Sequence, residues 1–410
     1  MSKNYLIKKM FIYLLASVLI AINTITFAAN VPSLTITVPF SPIPIKSDDL
    51  IKLGYELEIS PFEESGLILT KAEVLNADTK EVLLQLENNL LAQFYHPIAK
   101  SLLMAKQYKS DALILKQPRI SFWVSVKPGK VPSKIIHRLT FNNSNSSSRP
   151  IIIFGGETKL RSDFKPMIFA PPLRGAGWFT EDIMFSPEAN TPLAHHFLLQ
   201  LSSNNITHVP FRYAVDFVLF NSSHKEFKNS GKQNRDWYGY GKEVYAVTNG
   251  TIVRVENRFH ENPVVGVMDL DPTGNYVIID HGDGQYVGYA HLMFGSIKVK
   301  SGQKVEVGDV IGRVGNNGGS FIPHLHLQAM DRPSMVNSEG LPFLMNSFDV
   351  TGICPAKGFK YNVEKFWFFL KVFFGIDQDY SIGLYGTCVD YLQPKHNQNA
   401  PLGNHEIVMF

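Results

Sequence analysis

Val244-Tyr245-Ala246-Val247-Thr248-Asn249-Gly250-Thr251-Ile252-Val253-Arg254-Val255 decides the fold. Two runs of β-branched and aromatic residues flank Asn249-Gly250, a dipeptide that closes tight hairpins because it tolerates positive φ. The pattern repeats downstream. Tyr276 to Asp280, Tyr286 to His291, Val305 to Val307 and Val310 to Val314 are strand candidates. Gly282-Asp283-Gly284 and Gly315-Asn316-Asn317-Gly318-Gly319 are turns. The runs are short and bounded by turn formers, so 241–328 reads as an all-β unit of compact hairpins.

Working outward, residues 31–141 also read as strands. Leu34, Ile36, Val38 and Phe40 alternate with Thr or Pro, Tyr55, Leu57 and Ile59 alternate with acids, and Ile120 to Val126 is β-branched and aromatic. Period-two alternation predicts an antiparallel, sandwich-like accessory domain over 29–141. Leu83 to Tyr95 is the helix candidate there, and Leu102 to Leu115 fits either state. Asn142 to Ser148 is nearly pure Asn and Ser and can bury nothing, so a solvated linker is expected over 142–165. The catalytic-type unit then spans 166–354, with 355–410 as a C-terminal extension.

The start of the chain predicts export. Lys3, Lys8 and Lys9 precede an apolar run from Met10 to Ile22, followed by Thr26-Phe27-Ala28 as a small-x-small cleavage site. That is the layout of a signal peptide over 1–28, leading to the periplasm or the extracellular space. The aromatic run Phe366 to Phe374 is too short to cross a bilayer and carries Lys371, so no stable span is expected after cleavage. The formal charge of +3 equals the three leader lysines, so the mature chain is near neutral. It lacks the basic footprint of a nucleic-acid binder. Cys354 and Cys388 are the two cysteines, compatible with one disulfide in an oxidising compartment or with two buried thiols.

The chemistry concentrates on Asp216, His291, His324 and His326. In Pro323-His324-Leu325-His326 a strand would project both imidazoles from one face, roughly 7 Å apart. Neutral imidazole is both a zinc ligand and a base near neutral pH. Alone, such a pair also describes a solvated strand face. Tyr289-Ala290-His291-Leu292 adds a third histidine. Tyr213-Ala214-Val215-Asp216-Phe217 sets a carboxylate in an apolar run, where it needs a metal or a cationic partner such as Arg212.

Taken in order and spacing, several segments over roughly 210–330 resemble the lysostaphin-type zinc endopeptidases. They are Arg212 to Phe217, Gly241 to Val247 with Asn249-Gly250, Gly274-Asn275-Tyr276-Val277 and Tyr289 to Leu292. Gly302 to Val305, Gly308 to Gly312, Gly315-Asn316 and Pro323 to His326 complete the set. Asp331 to Ser334 and Gly340 to Phe343 are similar to an exported subgroup with an extra N-terminal domain. The resemblance implies a small antiparallel β-domain of the duplicated hybrid motif type, one Zn2+ and cleavage of peptidoglycan peptides. It also implies Asp216 and His326 as zinc ligands, with His324 and His291 as catalytic residues beside the metal-bound water.

The sequence departs from the family four residues before Asp216, where the usual first ligand is histidine and this chain has Arg212. Arginine has no lone pair to offer. His208, His195 and His196 are the upstream replacements, with His196 favoured as the third metal ligand. Two functions follow: an active zinc metalloendopeptidase, or a degenerate domain that binds cell wall or regulates a partner hydrolase.

Overall fold

The computed structural model describes residues 33–47, 49–60, 66–96, 117–143, 149–181, 201–203, 206–262, 271–355 and 387–410. The expected signal peptide, Leu102 to Leu115, His195, His196 and Phe366 to Phe374 lie outside these residues. The fold is mainly β, as the alternating runs predict.

Two antiparallel sheets pack face to face in the N-terminal part. One runs Thr35–Thr37, Leu50–Ser60, Arg119–Val126 and Tyr95–His96, with Ile45–Ser47 on the second of these. The other runs Val82–Glu87, Leu67–Asn76, Lys134–Asn143 and Ile151–Lys159. Leu53, Tyr55, Leu57 and Ile59 point inward from the first sheet and meet Ala72, Val74, Leu139 and Phe141 from the second. His137 is buried in that core. Its Nδ1–H donates to the Gly155 carbonyl (3.3 Å), and its Nε2 accepts from the Tyr55 hydroxyl (2.8 Å). Burial lowers its pKa to about 4.

Two local readings change here. The helix expected over Leu83 to Tyr95 is confined to Asn88–Phe94, because Val82–Glu87 finds backbone partners along Leu67–Asn76. Ile151–Lys159, inside the stretch expected to be linker, pairs with Lys134–Asn143 instead.

A third sheet, of twelve strands, carries Asp216 and His326. Its order is Met167–Phe169, Phe343–Ile353, Glu406–Met409, Ala176–Glu181, Val215–Leu219, Leu325–Met330, Gln285–Ala290, Tyr276–Gly282, Gly250–Glu256 and Lys304–Val305. Gly340–Leu341 and Val389–Ala400 join as side branches. Every pairing is antiparallel except that of Met167–Phe169 with Phe343–Ile353. The core is built from one face of these strands, including Val215, Phe217, Val277, Ile279, Val287, Tyr289, Leu325 and Leu327. Removing a side chain such as Leu325 or Leu327 from water contributes about 1.5–3 kcal/mol each. Within the C-terminal stretch, Glu406–Met409 is an interior strand between Phe343–Ile353 and Ala176–Glu181. Cys354 and Cys388 are joined by a disulfide.

The strand Leu50–Ser60 is buried on both faces from Lys52 to Leu57. Gly54 and Glu56 meet the turn that precedes Val215–Leu219, where Tyr213 donates its hydroxyl to the Gly54 carbonyl (3.4 Å). The Trp123 ring meets Tyr213 edge-on and lies so close to Gly54 that a Cβ there would come within 2.5 Å of it.

Candidate metal and catalytic site

Strand pairing assembles the site. Val215–Leu219 and Leu325–Met330 run antiparallel, with Asp216 directly opposite His326. Residues directly opposite share a face. Leu325 and Leu327 enter the core, so His326 and Gln328 turn to the other face beside Asp216. On the other side of Leu325–Met330, Ala290 pairs with His326, which delivers His291 at the end of its strand. His291 takes φ +57°, a left-handed conformation that histidine tolerates better than most residues. That geometry is held on both sides: His291 N–H donates to Thr273 O (3.1 Å), and Gly315 N–H donates to His291 O (3.0 Å).

Four sequence-predicted residues therefore meet. His326 Nδ1 lies 3.0 Å from Asp216 Oδ1, and His324 Nε2 lies 3.5 Å from Asp216 Oδ2. The His291 ring centroid is 4.6 Å from that of His324 and 5.9 Å from that of His326. All four are buried.

Neighbouring acceptors fix which ring nitrogen carries the proton, since a carbonyl oxygen can only accept. His291 Nδ1–H donates to Asn317 O (2.8 Å), and His324 Nδ1–H donates to Ile322 O (2.7 Å). His326 Nε2–H donates to Gln328 Oε1 (2.8 Å). The Gln328 amide cannot be turned round, because its Nε2 donates to Met335 O (3.1 Å) and Pro210 O (3.4 Å). In the neutral rings this leaves lone pairs on His291 Nε2, His324 Nε2 and His326 Nδ1. His324 Nε2 is buried without a hydrogen-bond partner. His326 Nδ1 meets the Asp216 carboxylate, which can only accept, so a proton or a cation belongs between them. Burial, and then the neighbouring His324 and His326, hold the His291 pKa well below its ordinary value.

The Gly315–Ser320 loop supports the histidines. The Asn317 side chain accepts from Asn275 N–H (2.7 Å) and donates to Leu292 O (2.8 Å). Glu261 accepts from Asn316 N–H (2.5 Å), Asn317 Nδ2 (3.1 Å) and Phe294 N–H (2.8 Å). Burial raises the Glu261 pKa against these bonds. The sequence marks this loop as a turn and Gly315-Asn316 as part of the family resemblance, but assigns no role to Asn317, Glu261 or Gln328. The paired asparagines between glycines were the available signal.

The donor chemistry fits a zinc site in part. Asp216 and His326 supply an oxygen and a nitrogen donor suited to Zn2+. Among the described residues, no three His, Cys, Asp or Glu side chains close into a metal cage. His208 packs its ring at 5.1 Å on Phe40, which lies between Thr35–Thr37 and Ile45–Ser47, and burial lowers its pKa. His195 and His196 lie outside the described residues. Arg212 does not pair with Asp216, the bland alternative from sequence. Its guanidinium is bound by Glu56 and Glu339.

Residues 237–338 match the model of Peptidase family M23, a stretch that includes the three histidines and begins after Asp216. Over 98 residues the chain is 37% identical to peptidoglycan DD-endopeptidase ShyA of Vibrio cholerae, covering 24% of this chain and 20% of that protein. It is 40% identical over 62 residues to cell division protein DipM of Caulobacter vibrioides, covering 15% and 10% respectively. Among solved structures it is similar to the catalytic domain of lysostaphin from Staphylococcus simulans, at 27% identity over 34% of this chain and 80% of that one, with a TM-score of 0.20. The chain matches about a fifth or less of the length of its curated relatives. The lysostaphin-type resemblance read from the motifs is thus matched by the family comparison.

Proposed function

We propose that this chain is an exported zinc-dependent endopeptidase that hydrolyses peptide bonds in bacterial peptidoglycan. The observation that carries the reading is the convergence of His326 Nδ1, His324 Nε2 and the Asp216 carboxylate in one buried volume, each with an acceptor edge inward. Asp216 and His326 would hold the metal, with His196 as the third donor. When bound, zinc supplies Lewis-acid polarisation of the scissile carbonyl and an acidified water. His324 accepts the proton of the attacking water through its unpartnered Nε2, while the Ile322 carbonyl keeps its ring oriented. His291 offers a second neutral imidazole beside it, locked by Asn317, to relay a proton toward the leaving amine. The DD-endopeptidase relative supports the substrate class, and the basic-apolar leader supports export.

The test is digestion of purified sacculi with the full chain, followed by mass spectrometry of the released peptides. Loss of cross-linked species, abolished by chelator and by Asp216→Ala, is expected. Unchanged cross-links at high enzyme concentration would overturn the reading. Arg212 favours one competitor, a wall-binding domain on the same scaffold. That domain would co-sediment with sacculi and leave every bond intact.

A further inference from the structure

Arg212 stands where a ligand is expected, and its surroundings indicate what it does instead. The side chain is 2% exposed, and it is held by carboxylates from two parts of the molecule. Nη1 donates to Glu56 Oε1 (2.6 Å), and Nη2 lies 2.5 Å from Glu56 Oε2. Nε donates to Glu339 Oε1 (3.1 Å), which also accepts from Nη2. Glu56 belongs to the strand Leu50–Ser60 of the N-terminal sandwich, whereas Glu339 follows the strand of His326. Both carboxylates are buried, at 4% and 8% exposure. Arginine's planar fork suits this task, since it can serve two carboxylates at once without giving up its charge.

From Arg212 the contacts run back to the metal site. Glu339 Oε2 accepts from Val209 N–H (3.1 Å), and Gly340 N–H donates to Val209 O (3.2 Å). Those bonds fix the turn at 209–212. Pro210 O in that turn accepts from Gln328 Nε2, and Gln328 Oε1 holds His326 Nε2–H. Phe211 sets its ring against His326 in an edge contact at 4.6 Å. Asp216 follows on the same segment.

We propose that Arg212 is a positioning residue that makes the N-terminal sandwich part of the hydrolytic site: clamped by Glu56 and Glu339, it fixes the turn whose Pro210 carbonyl and Phe211 ring seat Gln328 and His326. The proposal rests on the endopeptidase reading for its consequence in activity, but its geometry stands without it. A ligand position has become an anchor, and the sandwich supplies half of what the anchor grips.

The experiment compares the full chain with Glu56→Leu and Glu56→Gln variants. Folding is checked by circular dichroism, His326 is followed by its ring 15N resonances, and zinc affinity is measured by competition with a chelating dye. Glu56→Leu is expected to shift the His326 resonances, weaken zinc binding about tenfold, and lower kcat with KM little changed. Glu56→Gln, which keeps an acceptor for the guanidinium, is expected to recover most of each effect. Unchanged His326 resonances and zinc affinity in folded Glu56→Leu protein would overturn the proposal. If Glu56→Leu does not fold, Arg212→Lys decides in the same way, because one ammonium cannot grip both carboxylates as a fork. A parent chain that bound no zinc would overturn the endopeptidase reading, and the ring resonances would still decide the clamp.

Discussion

Replacing Gln328 by Leu probes the device that aims His326. In the parent, His326 Nε2–H donates to Gln328 Oε1 (2.8 Å), and Nδ1 is the nitrogen that meets Asp216 Oδ1. Leucine is of similar size and apolar, so the strand and its core face are retained. The buried ring N–H then loses its acceptor, at a cost of about 1–3 kcal/mol. The ring escapes this cost by moving its proton to Nδ1, where Asp216 Oδ1 waits at 3.0 Å. In that tautomer the lone pair faces leucine, and zinc must displace a hydrogen-bonded proton to bind. At 1.4 kcal/mol per factor of ten, zinc affinity falls about 5- to 150-fold. Dye competition reads the affinity, and long-range 1H–15N spectra of the zinc-free protein read the tautomer. Gln328→Glu, which keeps the acceptor, should retain the parent tautomer. Parent-like affinity together with a retained Nε2–H tautomer in Gln328→Leu would refute the reasoning.

Three further outcomes follow from the structure. The folded pKa of His137, about 4, lies below the ordinary 6.5, so protons favour the unfolded chain. Its contribution, about 3 kcal/mol, is complete above pH 6.5 and disappears as pH falls toward 4. Urea unfolding at pH 7.5 and 4.5 should show a steeper loss for the parent than for His137→Gln, and equal slopes would contradict this. Gly274 has φ +58°, and a Cβ there would lie 2.2 Å from Asn317 Oδ1 and 2.7 Å from the Asn317 carbonyl that holds His291. Gly274→Ala should therefore cost about 2 kcal/mol or more and reduce hydrolysis as well as Tm; an unchanged Tm would count against that packing. Removing the Cys354–Cys388 disulfide, which closes a sequence separation of 34, should lower stability by about 3–4 kcal/mol. Denaturant midpoints of the double serine variant check this, and a parent-like midpoint would contradict it.

The strands of 241–328 were legible because period-two runs act locally, and Gly282-Asp283-Gly284 closes a hairpin between Tyr276–Gly282 and Gln285–Ala290; Asn249-Gly250 closes none, because Glu243–Tyr245 pairs with Val310–Arg313 while Gly250–Glu256 pairs with Tyr276–Gly282. The gathering of Asp216, His291, His324 and His326 was legible because imidazole and carboxylate advertise their chemistry. Glu56 was not. Its alternation with Tyr55 and Leu57 reads as a solvent face, and the cation that buries it is 156 residues away. Arg212 was legible as a failed ligand, but its role as an anchor depends on that same distant contact. Gln328, Asn317 and Glu261 could not be given a role from sequence because they act by holding other groups through ordinary hydrogen bonds. The strand Glu406–Met409 was missed because it is four residues long and its partners lie far off in sequence.

Metal content of the purified full chain, by elemental mass spectrometry after dialysis against a mild chelator, decides whether Asp216 and His326 belong to a zinc site. About one zinc per chain is expected, lost or sharply reduced in Asp216→Ala, His326→Ala and His196→Ala. A well-folded protein that retains no zinc when offered an excess would contradict the endopeptidase mechanism.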